Sequence, residues 1–365
     1  MIYKLADNIT SPLGLTTQEN LESVRRGYSA LSLHQLWDMP EAFMGSLFAD
    51  GQIVGPYSQF ENAIILSISE ALSHIPSLPL SSPRVGLVLS STKGDNTGVD
   101  GKSFAASARI IADRFGITTQ PVTVSNACIS GLCAQIYAMR LIENGLYDTI
   151  IISGCDIQSK FIVSGFQSFK ALSKEQCRPF DEDRNGLNLG EAAATIIYSS
   201  DPSACSPDQN QLWTITKGAI RNDAFHISGP SRTAEGSYRA LKQVVEGEET
   251  DKIAVINAHG TATLYNDDME SRAIGRAGLT SILVNSLKGY YGHTMGAAGL
   301  LETIISMHSI ADGWIPGTRN YTASGTCVEL NMTSNHTSTD KRQFVKLMSG
   351  FGGCNAAALY KLIER

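Results

Sequence analysis

The apolar runs of this chain carry few polar interruptions, and that constrains the fold more than any other feature. Val85–Leu89, Thr149–Ser153, Ala192–Tyr198, Ile253–Asn257 and Phe344–Met348 place β-branched, small and aromatic residues at consecutive positions. A sheet with one wet face would show strict apolar–polar alternation, so these runs predict strands buried on both faces. Val122–Val124, Trp213–Lys217, Ile282–Asn285 and Ala356–Leu362 extend the set. Between them lie amphipathic stretches at Phe104–Phe115, Leu132–Asn144, Ser237–Val245 and Ala297–Ala311. Two-sided strands interleaved with helices indicate an α/β architecture. The turn-rich stretch Ser199–Gln211 has no periodicity and is the best internal boundary, giving an N-terminal half, 1–205, and a C-terminal half, 206–365.

Two segments are faint copies of each other across that boundary. Pro121-Val-Thr-Val-Ser-Asn-Ala-Cys-Ile-Ser-Gly131 reads as strand, small-residue turn, helix. Ile282 to Gly299 reads as strand, glycine-broken turn and a helix rich in Gly and Ala. Each brings a reactive side chain, Cys128 or His293, to the point where a strand gives way to a helix, the usual place for chemistry in α/β folds. An internal duplication, with small-residue helices packed between two sheets, accounts for the pattern.

Composition removes several classes. Charged residues are 18% of the chain and apolar ones 42%, with a net charge of −6, so intrinsic disorder is excluded. The balance is acidic and no Lys/Arg cluster stands out, which argues against nucleic-acid binding. No apolar run reaches the roughly 18 residues of a membrane span, and the opening residues lack the basic and apolar regions of a signal peptide. Seven cysteines show no C-x-x-C pair and no metal-ligand rhythm, so reduced thiols, a cytoplasmic setting and no bound metal are expected.

Cys128 is placed at a predicted helix N-terminus, where unpaired amides and the helix dipole favour a thiolate. Ala127, Ser130 and Gly131 around it are small enough for a substrate to come close. Position alone leaves a buried structural cysteine open. His259 ends a strand in Ile256-Asn-Ala-His-Gly-Thr-Ala-Thr263, and His293 lies in Tyr291-Gly-His-Thr-Met-Gly296. Glycine beside each allows close backbone approach to a ligand, although either could be a core histidine satisfied by backbone.

Val124–Gly131, Asn257–Glu270, Lys288–Gly299 and Gly350–Asn355 resemble the signature blocks of elongating β-ketoacyl-[acyl carrier protein] synthases, of the thiolase-like superfamily. Ser11–Gly14, Phe166 with Ala171–Ser173, Arg178–Glu191 and Asp223–Pro230 resemble further blocks, in the same order, across nearly the whole chain. The resemblance implies a five-layer αβαβα fold of two duplicated halves, working as a homodimer or as a heterodimer with a related subunit. It implies Cys128 as the nucleophile that accepts an acyl group, and His259 and His293 as donors to a malonyl thioester carbonyl. The amides of Cys128 and Phe351 would form the oxyanion hole, with Phe351 also the gate. Lys288 and Glu270 would be a buried supporting ion pair, with Asp267, Thr261, Thr263 and Gly352 as further support. No cofactor is implied, because the substrates ride on the phosphopantetheine of an acyl carrier protein. Two histidines point away from thiolases, which need a second cysteine, and Cys354 is read as a packing residue. A non-catalytic chain-length partner and a cysteine hydrolase remain as alternatives.

The chain departs from that pattern in places. The interval from Ser90–Asp95 to Cys128 is shorter by roughly twenty residues, which suggests a rebuilt acyl pocket. Leu347-Met348-Ser349 replaces Asn-Ser-Phe before the gate, and Asn266 replaces a glycine. Gly27–Pro83 holds no Lys or Arg but includes Asp38, Glu41, Asp50, Glu61 and Glu70. An acidic carrier would avoid such a face, leaving Arg178, Arg184, Arg221, Arg232 and Arg239 as candidate docking residues, or else a carrier less acidic than usual.

Overall fold

Ten strands form one sheet made of two five-stranded sheets joined at a seam. The computed structural model describes residues 1–96, 102–205 and 211–364, so positions 97–101 of the shortened interval and 206–210 of the predicted boundary lie outside the described residues. The first half supplies β1 (Tyr3–Thr10), β2 (Val85–Ser90), β3 (Val122–Val124), β4 (Thr149–Asp156) and β5 (Ala192–Ser199). The second supplies β6 (Gln211–Asn222), β7 (Ile253–Asn257), β8 (Leu283–Asn285), β9 (Gln343–Gly350) and β10 (Cys354–Glu364). Their spatial orders are β1-β5-β4-β2-β3 and β6-β10-β9-β7-β8, the same permutation. In each half the first pairings are antiparallel and the last two parallel. The seam is the antiparallel contact of Tyr3 with Thr214.

Helices α1 (Gln59–Ser73), α2 (Phe104–Arg114) and α3 (Ser130–Glu143) of the first half correspond to α4 (Glu235–Val245), α5 (Leu264–Arg276) and α6 (Ala298–Ala311) of the second. Strand residues divide between cores by parity. Ile150 and Ile152 face a central core with Leu132, Ile136, Leu300 and Ile304 of α3 and α6. Ile151 faces an outer core with Phe60 and Ile64 of α1 and Ile111 of α2. In the second half Phe344 and Met348 point inward, while Val345 and Leu347 meet Leu241 and Val244 of α4. Both faces of each sheet are therefore covered, giving five layers with α3 and α6 in the middle.

The central layer is thin because glycine allows it to be. A Cβ on Gly131 would lie 2.7 Å from the Gly296 carbonyl oxygen, and one on Gly299 would lie 2.5 Å from the Leu132 nitrogen. This contact brings the start of α3, just after Cys128, against the start of α6, just after His293. Among the described residues no helix is long and apolar enough to cross a membrane.

Candidate active site

Two strand ends and the turn before α6 converge on one cavity. Cys128 follows β3 after a turn in which Ala127 adopts φ +46°, a left-handed conformation costly for a residue with a Cβ. The Ser130 hydroxyl fixes this turn, accepting from the Asn126 amide at 2.8 Å and donating to the Ala127 carbonyl at 2.6 Å. His259 follows β7, and Gly260 beside it takes φ +46° in a space where a Cβ would lie 2.6 Å from the Phe180 ring. The backbone of His293 is pinned on both sides, its amide donating to Asn188 O at 2.7 Å and its carbonyl accepting from Gly190 N at 3.0 Å.

Cys128 Sγ and one ring nitrogen from each of His259 and His293 lie within 4.8 Å of one another, and all three residues are buried. The imidazoles meet edge to face, centroids 4.9 Å apart. His293 Nδ1 accepts from the Met295 amide at 3.3 Å, so a neutral ring carries its proton on Nε2, which is buried and has no partner. His259 Nδ1 is likewise buried and unpartnered. Burial, reinforced by Lys288, holds both histidines well below the usual imidazole range, so both are neutral at physiological pH. Three such ligand atoms could hold a thiophilic divalent ion. The same spacing suits a nucleophile and two donors around one thioester.

The thiol does not behave as its place in the sequence predicts. Burial pushes Cys128 up to about 11, and Lys288, Lys93 and the Phe351 amide on the sulfur only partly offset it. Regular helix begins two residues later, at Ser130, so the dipole does not overcome desolvation. At rest the side chain is a thiol.

The expected Lys288–Glu270 pair is absent. Glu270 spends its oxygens on the His259 and Gly260 amides, each at 2.7 Å, and on the Asn266 side chain at 2.9 Å. Burial and the neighbouring Asp267 push it up to about 7. Asp267 takes the amides of Phe180, Thr261 and Ala262 at 2.7, 3.0 and 3.1 Å. Together the two carboxylates fix the loop that carries His259, and Asn266 braces both. The carboxylate partner of Lys288 is instead Glu302 of α6, at 2.5 Å, and Glu302 also holds Lys346 of β9, at 2.6 Å. All three are fully buried. Sequence reasoning missed Glu302 and Lys346, although a signal existed. Each is a lone charge inside an otherwise apolar run, and a charge there must find a partner.

The cavity measures about 400 Å³. Phe166, Phe169, Leu264, Tyr265 and Met269 give it an apolar wall, and Thr261 and Thr263, whose hydroxyls pair at 2.9 Å, also line it. Phe351 is 39% exposed, stacked on Phe166 at 5.9 Å and edge-on to Phe169 at 6.2 Å. Gly352, at φ +83°, donates its amide to Ile227 O at 2.7 Å. Ser349, in place of the expected aromatic, donates to Asn355 Oδ1 at 3.0 Å. Cys354 stands apart from the triad, its sulfur accepting from the Asn222 side chain at 3.6 Å.

Two surface expectations change. Arg184 is 5% exposed and bonded to Asp268 at 3.1 Å, so it is not free to dock a partner, whereas Arg239 stays on the surface beside Glu235 at 2.6 Å. Glu61, counted in the acidic face, is buried against Lys102 at 3.0 Å.

The duplicated halves, five layers and buried Cys-His-His centre define a thiolase-like α/β protein. The description "Beta-ketoacyl synthase, N-terminal domain" matches residues 84–202, and "Beta-ketoacyl synthase, C-terminal domain" matches 212–322. The chain is 29% identical over 261 residues to 3-oxoacyl-[acyl-carrier-protein] synthase 2 of Vibrio cholerae, covering 67% of this chain and 63% of that protein. It is 30% identical over 275 residues to nodulation protein E of Rhizobium meliloti, covering 73% and 68%. A Xenorhabdus doucetiae ketosynthase in complex with its chain length factor superposes with a TM-score of 0.86 at 21% identity, over 99% of this chain and 98% of that one. The chain belongs to the β-ketoacyl synthase family, and the match spans 63% of the length of the Vibrio protein.

Proposed function

We propose that this chain is a condensing acyltransferase that joins an acyl group to a malonyl unit with loss of carbon dioxide. The observation that carries the reading is the buried cluster of Cys128, His259 and His293 at an apolar cavity. In the first half-reaction the Cys128 sulfur attacks the thioester carbonyl of an acyl chain borne on the phosphopantetheine of a carrier protein. The S–C bond to the carrier breaks, the acyl group stays on Cys128, and the thiol proton leaves with the carrier sulfur. The amides of Phe351 and Cys128 would hold the oxyanion. In the second, a malonyl thioester loses carbon dioxide and leaves an enolate, whose oxygen takes the free N–H of neutral His293 and a donor from His259. The carbanion attacks the acyl carbonyl, the new C–C bond forms, and the Cys128 thiolate leaves and is reprotonated. No cofactor is needed, since the thioester carbonyl itself takes up the electron pair left by carbon dioxide and the reaction is redox-neutral.

The partners that fit are an acyl carrier protein and a second synthase subunit, identical or related. A reducing compartment, the cytoplasm, suits a reactive thiol among six further free cysteines. The shortened interval before Cys128 favours a specialised polyketide or polyene chain over an ordinary saturated one. A non-catalytic chain-length role is the second reading, favoured by the likeness to a ketosynthase–chain length factor complex and opposed by the intact triad.

Mass spectrometry of the protein after incubation with an acyl-carrier thioester tests the first reading. Acyl mass on Cys128, absent in Cys128→Ala and discharged by malonyl carrier, is the expected result. A persistently unmodified Cys128 would favour the non-catalytic role.

A further inference from the structure

Lys346 lies on β9 with no exposed surface, and its ammonium has four acceptors. It donates to Glu302 Oε2 at 2.6 Å, to the carbonyls of Asn257 and Ala258 at 3.2 Å each, and to Leu347 O at 3.3 Å. Those contacts join three segments that serve the site. Asn257 and Ala258 are the residues immediately before His259. Glu302 belongs to the helix that follows His293 and also holds Lys288. Lys346 itself lies five residues before Phe351, whose amide reaches the Cys128 sulfur.

The fold alone does not explain this lysine. Lys288 already neutralises Glu302, so Lys346 is a surplus buried cation, and stripping water from an ammonium is expensive. An apolar side chain would fill the same strand position at less cost. The expense is borne beside two imidazoles whose work depends on staying uncharged.

We propose that Lys346 is a positioning residue for the malonyl half-reaction, holding the His259 strand end against the helix that follows His293. This role rests on the function proposed above. The charged and titratable groups around the two rings are consistent with it. Lys288, Lys346 and Lys93 are cations on that side, and each disfavours imidazolium at one or both rings. Glu302 is shared between two of those lysines, Glu270 and Asp267 are turned to backbone amides, Asp156 caps the Gly296 amide at 2.6 Å, and Cys128 rests as a thiol. Burial pulls Lys346 itself down to about 8, with Glu302 and Glu270 opposing it in favour of the charged ammonium.

Lys346→Met removes the surplus charge and leaves Lys288 and Glu302 as a balanced pair. The two half-reactions are measured separately, Cys128 acylation by mass spectrometry and carbon dioxide release after malonyl carrier is added to the acylated protein. Acylation should stay within about threefold of the parent, while carbon dioxide release falls at least about tenfold. With one cation gone the imidazoles protonate more readily, so the acid limb of the release profile should move to higher pH. Lys346→Arg keeps the charge and should keep the limb in place even where its rate drops. If Lys346→Met does not fold, Lys346→Gln, which keeps donors for the two carbonyls, replaces it. Equal losses in both half-reactions with an unmoved limb would reduce Lys346 to a packing role and overturn the proposal. Histidine ¹³C NMR on the same proteins reads the imidazole shift without turnover. A shift between Lys346→Met and a parent protein that itself releases no carbon dioxide would sink the proposed function while leaving the electrostatic role standing.

Discussion

At the residue scale, the balance of forces on Cys128 decides how the centre is switched on. Two lysines and a backbone amide favour the thiolate, yet burial outweighs them and holds the thiol up to about 11. The group gains its charge only as pH rises toward that value, so its alkylation by iodoacetamide should climb about tenfold per pH unit from pH 7 to 9 without a plateau. Peptide mapping distinguishes Cys128 from the other six cysteines. A plateau below pH 8 would mean that the thiolate already dominates at rest. The histidines follow the opposite rule. Their depressed affinity for protons makes neutrality a native-state property that is lost only as pH falls well below 6.5.

At the element scale, the site exists because α3 and α6 touch through glycine. An alanine at Gly299 would set its Cβ 2.5 Å from the Leu132 nitrogen and 3.0 Å from the Gly131 carbonyl carbon, and backbone cannot yield as a flexible side-chain tip can. Gly299→Ala should therefore lower unfolding free energy by about 1–3 kcal/mol and slow Cys128 acylation, because the two helix starts carry the reacting segments. Denaturant titration checks the first effect, and an unchanged midpoint would show that the layer gives way easily. What the sequence revealed at this scale follows from locality. Val122–Val124 and Ile253–Asn257 match the predicted strands residue for residue, since apolar pattern and flanking turns bound them. The apolar pattern does not mark strand β1, because Lys4, Asp7, Asn8 and Thr10 look exposed. The fold buries them by pairing Lys4 with Asp7 at 2.6 Å and Asn8 with Thr10 at 3.2 Å. The same blindness separated Lys288 from Glu302. Motif spacing brought Cys128, His259 and His293 into view. Which carboxylate met which lysine depended on contacts between elements that no local pattern encodes.

At the scale of the whole molecule, the two ends of the ten-stranded sheet are finished differently. Beyond β8 a segment covers the edge, the Val284 amide donating to Asn331 O at 2.8 Å. Beyond β3, among the described residues, no strand pairs with the outer edge, and Thr123 at its centre is exposed. The carbonyl of Val124 accepts from Ser91 at 3.2 Å, on the β2 side. Backbone groups of successive residues point to opposite sides of a strand, so Thr123 presents its N–H and C=O outward. An open, nearly apolar edge is a template for another copy of itself. We expect two protomers, or this chain and a related subunit, to meet there, which would also set the turn carrying Cys128 close to the partner. Thr123→Pro removes only the outward N–H and spares the β2 ladder, so it should leave a folded protomer that no longer pairs. Sedimentation velocity at micromolar concentration reads the outcome. A parent protein that sediments as one copy when mixed with no other subunit points to the heteromeric arrangement, whereas a Thr123→Pro variant that still pairs places the interface elsewhere.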